Sequence, residues 1–322
     1  MPTEAQLIDR FLAPFARAGA PVVIGPGDDC AVLRATPGTE TCVTTDALIE
    51  NVHFDPSLFT DTDIGHKALA VNLSDLAAMG ARPRWFVASI ACRPTDSARI
   101  PHLARGMAAL AARCGAFLVG GNFARAEALS LHIAAAGEVP RGRALTRAGA
   151  CWGDRIYVTG ELGDAALALA MRKSGRPPAA LLRRQARPEP RLAAGLTARR
   201  FASAAIDLSD GLLQDLERVL EASGVGAQVD ARRVPTSRAF RAAAGPIDLA
   251  LAGGEDYELL LFVPPAKAPA FERACERARE KVTCIGEAVK GGRLSVVGGP
   301  RIARRGFDHF PGKRKPARSQ AL

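Results

Sequence analysis

Four stretches of this chain place carboxylates beside glycines or hydroxyls, next to apolar runs: GPGDDCAVL (25–33), TTDALIENVHF (44–54), AVNLSDLAAMGARP (70–83) and AIDLSDGLLQDL (205–216). A fifth, GGEDYELLLFV (253–263), sets three acids and a tyrosine between a glycine pair and a strand-like run. In a chain of formal net charge +10, local acid clusters of this kind point to a site that collects metal ions rather than to a generally acidic surface. Carboxylates beside threonine hydroxyls are hard oxygen donors suited to magnesium, which keeps several waters and shares phosphate oxygens with a nucleotide.

Each stretch also has a plainer explanation. The adjacent aspartates before Cys30, Asp29 among them, fit a solvated turn, since Asp and Gly are common turn residues. TCVTTD ends a strand with Thr44, Thr45 and Asp46, at the end where α/β sheets commonly bind ligands; His53 follows seven residues later, and a lone His is more often structural than catalytic. Ala68, Val71, Leu76 and Met79 give a helix one buried face, with Gly80 suited to its C-cap. Asn72 and Asp75 share another face, and Asp75, a single carboxylate among Ala and Met, requires a specific partner. Strand alternation puts Asp207 and Ser209 on one side, and Ser209 or Asp210 can cap a helix starting at Gly211 or Leu212. Capping accounts for one acid there but not for Asp207. Gly120 and Gly121, followed by Asn122, let backbone approach a phosphate closely. No GxxxxGK[ST] is present, which excludes a Walker loop, and no GxGxxG sits between a strand and a helix at the N-terminus.

The elements that must position these residues alternate along the chain. Strands are expected at 41–45, 84–92, 116–119 and 129–139, and helices at 64–79 and 98–114. A Gly- and Arg-rich stretch at 137–154 marks a junction, after which strands RIYVTG, ASAAID, VTCIGEAV and RLSVVGG alternate with helices at GDAALALAMRKSG, from Asp210 to about Ser223, and at 266–279. The fold class is mixed α/β (α+β), with domains at 1–145 and 146–310 and a flexible basic tail at 311–322. At 322 residues and 48% hydrophobic content the chain can bury two substantial cores. No apolar run reaches the roughly 18 residues needed to span a bilayer, and the acidic, amphipathic start does not resemble a targeting segment, so the cytoplasm is the expected compartment. Seven cysteines without a CxxC pair read as buried free thiols. Aromatics at 5% and scattered arginines argue against a nucleic-acid surface.

In order along the chain, GDDCAVL, TTDALIENVHF, NLSDLAAMGARP, ALTRAGACWGD, IDLSDGL, GGEDYELLLF and the terminal GFDHF resemble the thiamine-monophosphate kinases. That family sits in a superfamily with aminoimidazole ribonucleotide synthetase, selenophosphate synthetase and a hydrogenase maturation protein. The resemblance implies a two-domain fold whose N-terminal domain pairs with its copy in a homodimer with a β-barrel-like core. It also implies transfer of the γ-phosphoryl group of ATP to thiamine monophosphate. On the matching motifs, Asp29, Thr44, Thr45, Asp46, Asp75, Asn122, Asp207 and Asp210 would hold several magnesium ions, with Asp46, Asp75 and Asp210 at the centre of catalysis. Gly120, Gly121, Asn122, Arg147 and Ser209 would contact ATP, and His53, Glu255 and Phe310 would line the acceptor pocket. No nucleic acid or membrane partner is implied.

The glycine pair departs from the family pattern, in which Asp and Thr follow; here Asn122 and Phe123 do, removing one formal charge from the expected metal site. An aromatic contact to adenine before AFLVGG is replaced by Arg105 or its neighbours, and Arg can stack on a base. Two alternatives stay open: another ATP-using enzyme of the superfamily, and a nucleotide-binding homologue without transfer activity.

Overall fold

The computed structural model of the chain describes residues 3–15, 21–27, 29–172, 175, 177–300 and 306. Phe310 and the tail from 311 lie outside the described residues. In the first half, α1 (Glu4–Leu12) precedes an antiparallel pair, β1 (Val22–Ile24) and β2 (Val32–Leu33). Then come β3 (Thr39–Ile49), α2 (Asp61–Ala78), β4 (Arg82–Cys92), α3 (Ile100–Cys114), β5 (Phe117–Arg125) and β6 (Ser130–Pro140). The strands form a sheet in the order β3-β6-β4-β5, antiparallel except for β4 with β5.

Thr60 starts α2 with a capping box, exchanging hydrogen bonds with Asp63. Gly80, left-handed at φ 64°, ends it as expected. The expectation of one buried face falls short, because 14 of the 18 residues of α2 are buried. The helix is enclosed by β3, β6, α3 and elements of the second half. Its crossing with α3 brings backbones together: a Cβ on Gly65 would lie 1.9 Å from the Leu103 carbonyl oxygen, and one on Gly106 1.9 Å from that of Thr62. Only glycine fits at either position.

The second half contains β7 (Arg155–Thr159), α4 (Asp164–Met171), α5 (Ala179–Ala186), α6 (Leu192–Ala198), β8 (Ala204–Asp207), α7 (Leu212–Ser223) and β9 (Gly226–Asp230). It continues with α8 (Arg238–Ala242), α9 (Ile247–Ala252), β10 (Leu259–Val263), α10 (Ala268–Arg277), β11 (Val282–Val289) and β12 (Leu294–Val297). Six strands pair in the order β12-β9-β11-β7-β10-β8, with only β12 and β9 parallel.

Leu69, Leu73, Phe86, Met107 and Leu131 belong to the apolar core of the first half, which also takes in Leu182 and Ala186 from α5. Val158, Ile206, Leu216 and Phe262 belong to the second core. A third cluster joins the halves, packing Ala77 and Ala78 of α2 with Ala194 and Ala198 of α6 and with Leu259, Leu261 and Phe271.

The mixed α/β two-domain architecture agrees with the sequence. No closed barrel is found among the described residues; the first sheet is open, with β3 and β5 at its edges. GGNFAR, expected to follow a strand, continues β5 instead. All seven cysteines are free, but only Cys92 and Cys275 are buried, while Cys30 and Cys151 are exposed. Among the described residues no helix is long and apolar enough to cross a membrane.

Candidate active site

Alternation along β3 puts Thr44 and Asp46 on one face and Thr45 on the other. The Thr44 hydroxyl donates to the Asp75 carboxylate of α2, the specific partner that a lone acid in an apolar helix requires. Thr45 instead donates to the Ile133 carbonyl oxygen at 2.9 Å, which separates it from its two neighbours. One residue before Asp75, the Ser74 hydroxyl donates at 2.8 Å to Asp207, at the end of β8. Helix α2 thus touches an acid-bearing strand in each domain through consecutive residues.

The three carboxylates perturb one another. Burial, then the charge of Asp75, pushes Asp46 up to about 7. Although Asp46 is accessible to solvent, the surrounding protein displaces much of the bulk water that would stabilise its charge. Burial raises Asp75 more than the Thr44 hydrogen bond and the nearby Arg147 charge lower it. Asp207 is raised by burial first and by Asp75 next, with Asp215 and Asp46 adding to the effect.

Residues 208–210 and 253–258 form the second wall. The amides of Glu255 and Tyr257 donate to the carbonyl oxygens of Ser209 and Leu208, each at 2.8 Å. Both residues adopt left-handed backbone, at φ 70° for Glu255 and 50° for Tyr257, at a cost of about 1–3 kcal/mol apiece. Their surroundings hold them there. Gly163 N–H donates to Asp256 at 2.9 Å, and buried Glu258 accepts from Arg184, Arg191 and Thr159. Glu255 accepts from Lys67 at 2.6 Å and from Gln185 at 3.0 Å. Burial, then the charges of Glu255, Asp46, Asp207 and Asp75, raises the Tyr257 phenol well above its usual range, so Tyr257 belongs to the acidic cluster.

The expected cap of α7 is corrected: neither Ser209 nor Asp210 supplies it. Gly211 is the N-cap, without a side-chain cap bond, and Asp215 reaches back from inside the helix to accept from Asp210 N and Gly211 N at 3.0 and 3.1 Å. The Asp210 carboxylate is held by Arg218 at 2.5 Å. His53 is half-buried, and its Nδ1 accepts from Ile49 N at 3.1 Å, which leaves the proton on Nε2. Asp29 is exposed between β1 and β2. Gly120, Gly121 and Asn122 pair with Val87, Ala88 and Ser89 of β4. A Cβ on Gly121 would lie 2.0 Å from the Ala88 carbonyl oxygen, so strand pairing alone demands glycine there. Phe123 packs edge-on against Phe11 with ring centroids 5.6 Å apart.

Among the described residues no three His, Cys, Asp or Glu side chains converge on a single ion position. The donors still fit magnesium in its usual manner, one or two carboxylates per ion with water and phosphate oxygens completing the shell. Asp46, Asp75 and Asp207 supply only oxygen, and all three are raised first by burial, with the charge of Asp75 adding to the shifts of Asp46 and Asp207.

Models of two families, the AIR synthase related protein N-terminal and C-terminal domains, match residues 27–139 and 152–299. Thiamine-monophosphate kinase of Escherichia coli (strain K12) is 37% identical over 320 residues, covering 95% of this chain and 98% of the relative. The chain belongs to the thiamine-monophosphate kinase family. Within this family, the crystal structure of thiamine-monophosphate kinase from Stenotrophomonas maltophilia K279a superposes with a TM-score of 0.84 at 38% identity, covering 92% of this chain and 96% of that one. The structure of AaThiL complexed with AMPPCP and TMP gives a TM-score of 0.75 at 29% identity, over 95% and 96%.

Three participants escaped the sequence expectations. Ser74 was overlooked beside the more conspicuous Asp75. Lys67 left a signal, as the one lysine of the Ala- and Leu-rich helix α2. Gln185 left none, since a single amide in a surface-like helix has no distinguishing pattern.

Proposed function

We propose that the chain transfers the γ-phosphoryl group of ATP directly to thiamine monophosphate, in line, giving thiamine diphosphate and ADP. The observation that carries this is the charge of Asp75 on α2 acting on both Asp46 of β3 and Asp207 of β8, in a chain 37% identical to the Escherichia coli kinase. AaThiL complexed with AMPPCP, an ATP analogue, and TMP supports the same pair of substrates.

Because the acceptor is itself a phosphate, no strong general base is required, and catalysis rests on alignment and charge neutralisation. Several magnesium ions would neutralise the two polyanions and hold them in register. Asp46, Asp75 and Asp207 are the central ligands in this proposal, with Thr44, Asp29 and Asn122 as further oxygen donors. Thr45, on the opposite face of β3, is left out, and Asp210 joins only by leaving Arg218. Gly120, Gly121, Arg147 and Ser209 face the nucleotide, while His53 and the 253–257 loop face the acceptor; Phe310, the further candidate from the resemblance, lies outside the described residues.

We also infer a homodimer joined through the open first sheet, domains meeting near residue 145, and a cytoplasmic setting. Incubation of purified protein with ATP, magnesium and thiamine monophosphate, followed by chromatography for thiamine diphosphate, tests the reaction. Product should require all three components and fall on the order of a hundredfold in Asp75→Asn. Absence of thiamine diphosphate from the natural chain under these conditions would overturn the proposal.

A further inference from the structure

The two sides of the proposed acceptor pocket come from different domains, and one buried ammonium touches both. Lys67, fully buried in α2, donates to the Glu255 carboxylate at 2.6 Å and to the His53 carbonyl oxygen at 3.4 Å. Its Nζ lies 5.5 Å from the centroid of the Phe59 ring, which keeps one side of the ammonium apolar. Glu255 is 24% exposed, and its second oxygen accepts from Gln185 of α5 at 3.0 Å.

We propose that Lys67 is a positioning residue for the acceptor: it couples His53 in the first domain to the 253–257 loop in the second, where Glu255 and Tyr257 are left-handed, and so sets the shape of the pocket between them. This deepens the kinase proposal and rests on it. The argument is one of geometry and charge. Glu255 carries a left-handed backbone that only fixed contacts maintain, and its carboxylate is already neutralised by Lys67. Glu255 therefore acts through the position of its loop, and not as a free negative charge facing the cationic ring of the acceptor. The amides of Glu255 and Tyr257 in the same loop donate to the Ser209 and Leu208 carbonyl oxygens at 2.8 Å, so a shift at Glu255 would be felt along the acceptor side of the pocket.

The experiment is a double-mutant cycle of Lys67→Met and Glu255→Met, with Lys67→Arg as the charge-conserving variant. KM for thiamine monophosphate, KM for ATP and kcat are read separately, and urea unfolding is followed on each protein. Removing Lys67 alone should raise the acceptor KM by about tenfold or more, because Glu255 is left uncompensated beside a buried pocket. The ATP KM should move much less, and Lys67→Arg should recover part of the loss. The double variant, which strands no charge, should be no worse than the poorer single one. Losses that multiply in the double variant would mean that Glu255 contacts the acceptor directly, and would overturn the proposal. Equal changes in both KM values, or none, would do the same. If the natural chain makes no thiamine diphosphate, the kinase proposal fails by itself and the urea midpoints still decide the coupling: non-additive shifts uphold it and additive shifts reject it.

Discussion

The Ser74 hydroxyl of α2 donates a 2.8 Å hydrogen bond to the Asp207 carboxylate at the end of β8, and both residues are buried. This contact ties α2 of the first domain to the acid-bearing strand β8 of the second. Replacing Ser74 by Ala leaves a buried acceptor without its donor, which should cost about 1–3 kcal/mol. Urea unfolding in the absence of magnesium measures it, and an unchanged midpoint would show that Asp207 needs no such support.

The departure at 122–123 expected from the resemblance divides into two separable effects. Asn122→Asp restores a carboxylate on an exposed stretch of β5 and should lower the magnesium concentration for half-maximal activity without changing stability. Phe123→Thr removes the ring packed on Phe11 and should destabilise by about 2 kcal/mol. Magnesium titrations and unfolding curves on the two single variants distinguish these. A stability loss from Asn122→Asp, or none from Phe123→Thr, would contradict the assignment.

Asp215→Ala should loosen the start of α7. The variant removes the acceptor for two backbone amides, Asp210 N and Gly211 N, at a cost of about 1–2 kcal/mol by analogy with lost caps. Amide exchange at these two positions should speed up relative to the rest of the helix. Equal exchange in both proteins would mean that the amides find other partners.

Away from the site, Asp96 lies between Arg93 and Arg99, at 2.9 and 3.2 Å. Burial pushes its pKa up, but hydrogen bonds from Arg93 and Arg99 outweigh this and leave it below 3.8. A carboxyl lowered on folding contributes stability that is complete above its unfolded pKa and disappears as pH falls through the folded one. Stability of the natural chain should therefore decline below about pH 4, and Asp96→Asn should flatten that acid limb. Parallel slopes between pH 3 and 5 would remove Asp96 as a contributor.

The acid-bearing stretches and the strand and helix alternation were legible because each is local: period, turn residues and oxygen donors lie within a dozen positions of one another. Lys67 and Glu255 are 188 residues apart, and nothing in either segment announces the other. The nearly complete burial of α2 was hidden for the same reason, since α6 and β8 reach it from the far half of the chain. The cap of α7 was misjudged for a different one. Ser209 and Asp210 have the right types at the right places, but Asp210 is drawn to Arg218 and the role passes to Asp215. Thr45 was grouped with Thr44 by adjacency, and the pleat separates them.

Leu182 and Ala186 of α5 pack into the core of the first domain, which has a consequence for synthesis of the chain. When a ribosome has completed β6 at Pro140, the first sheet and its helices are all present, yet a gap in their apolar interior waits for residues still to be translated. At ordinary elongation rates that interval is roughly two to nine seconds. During it the nascent domain carries a sticky, unfinished surface. The interior of the first core is thus completed only by α5, some forty residues beyond the last strand of the first sheet.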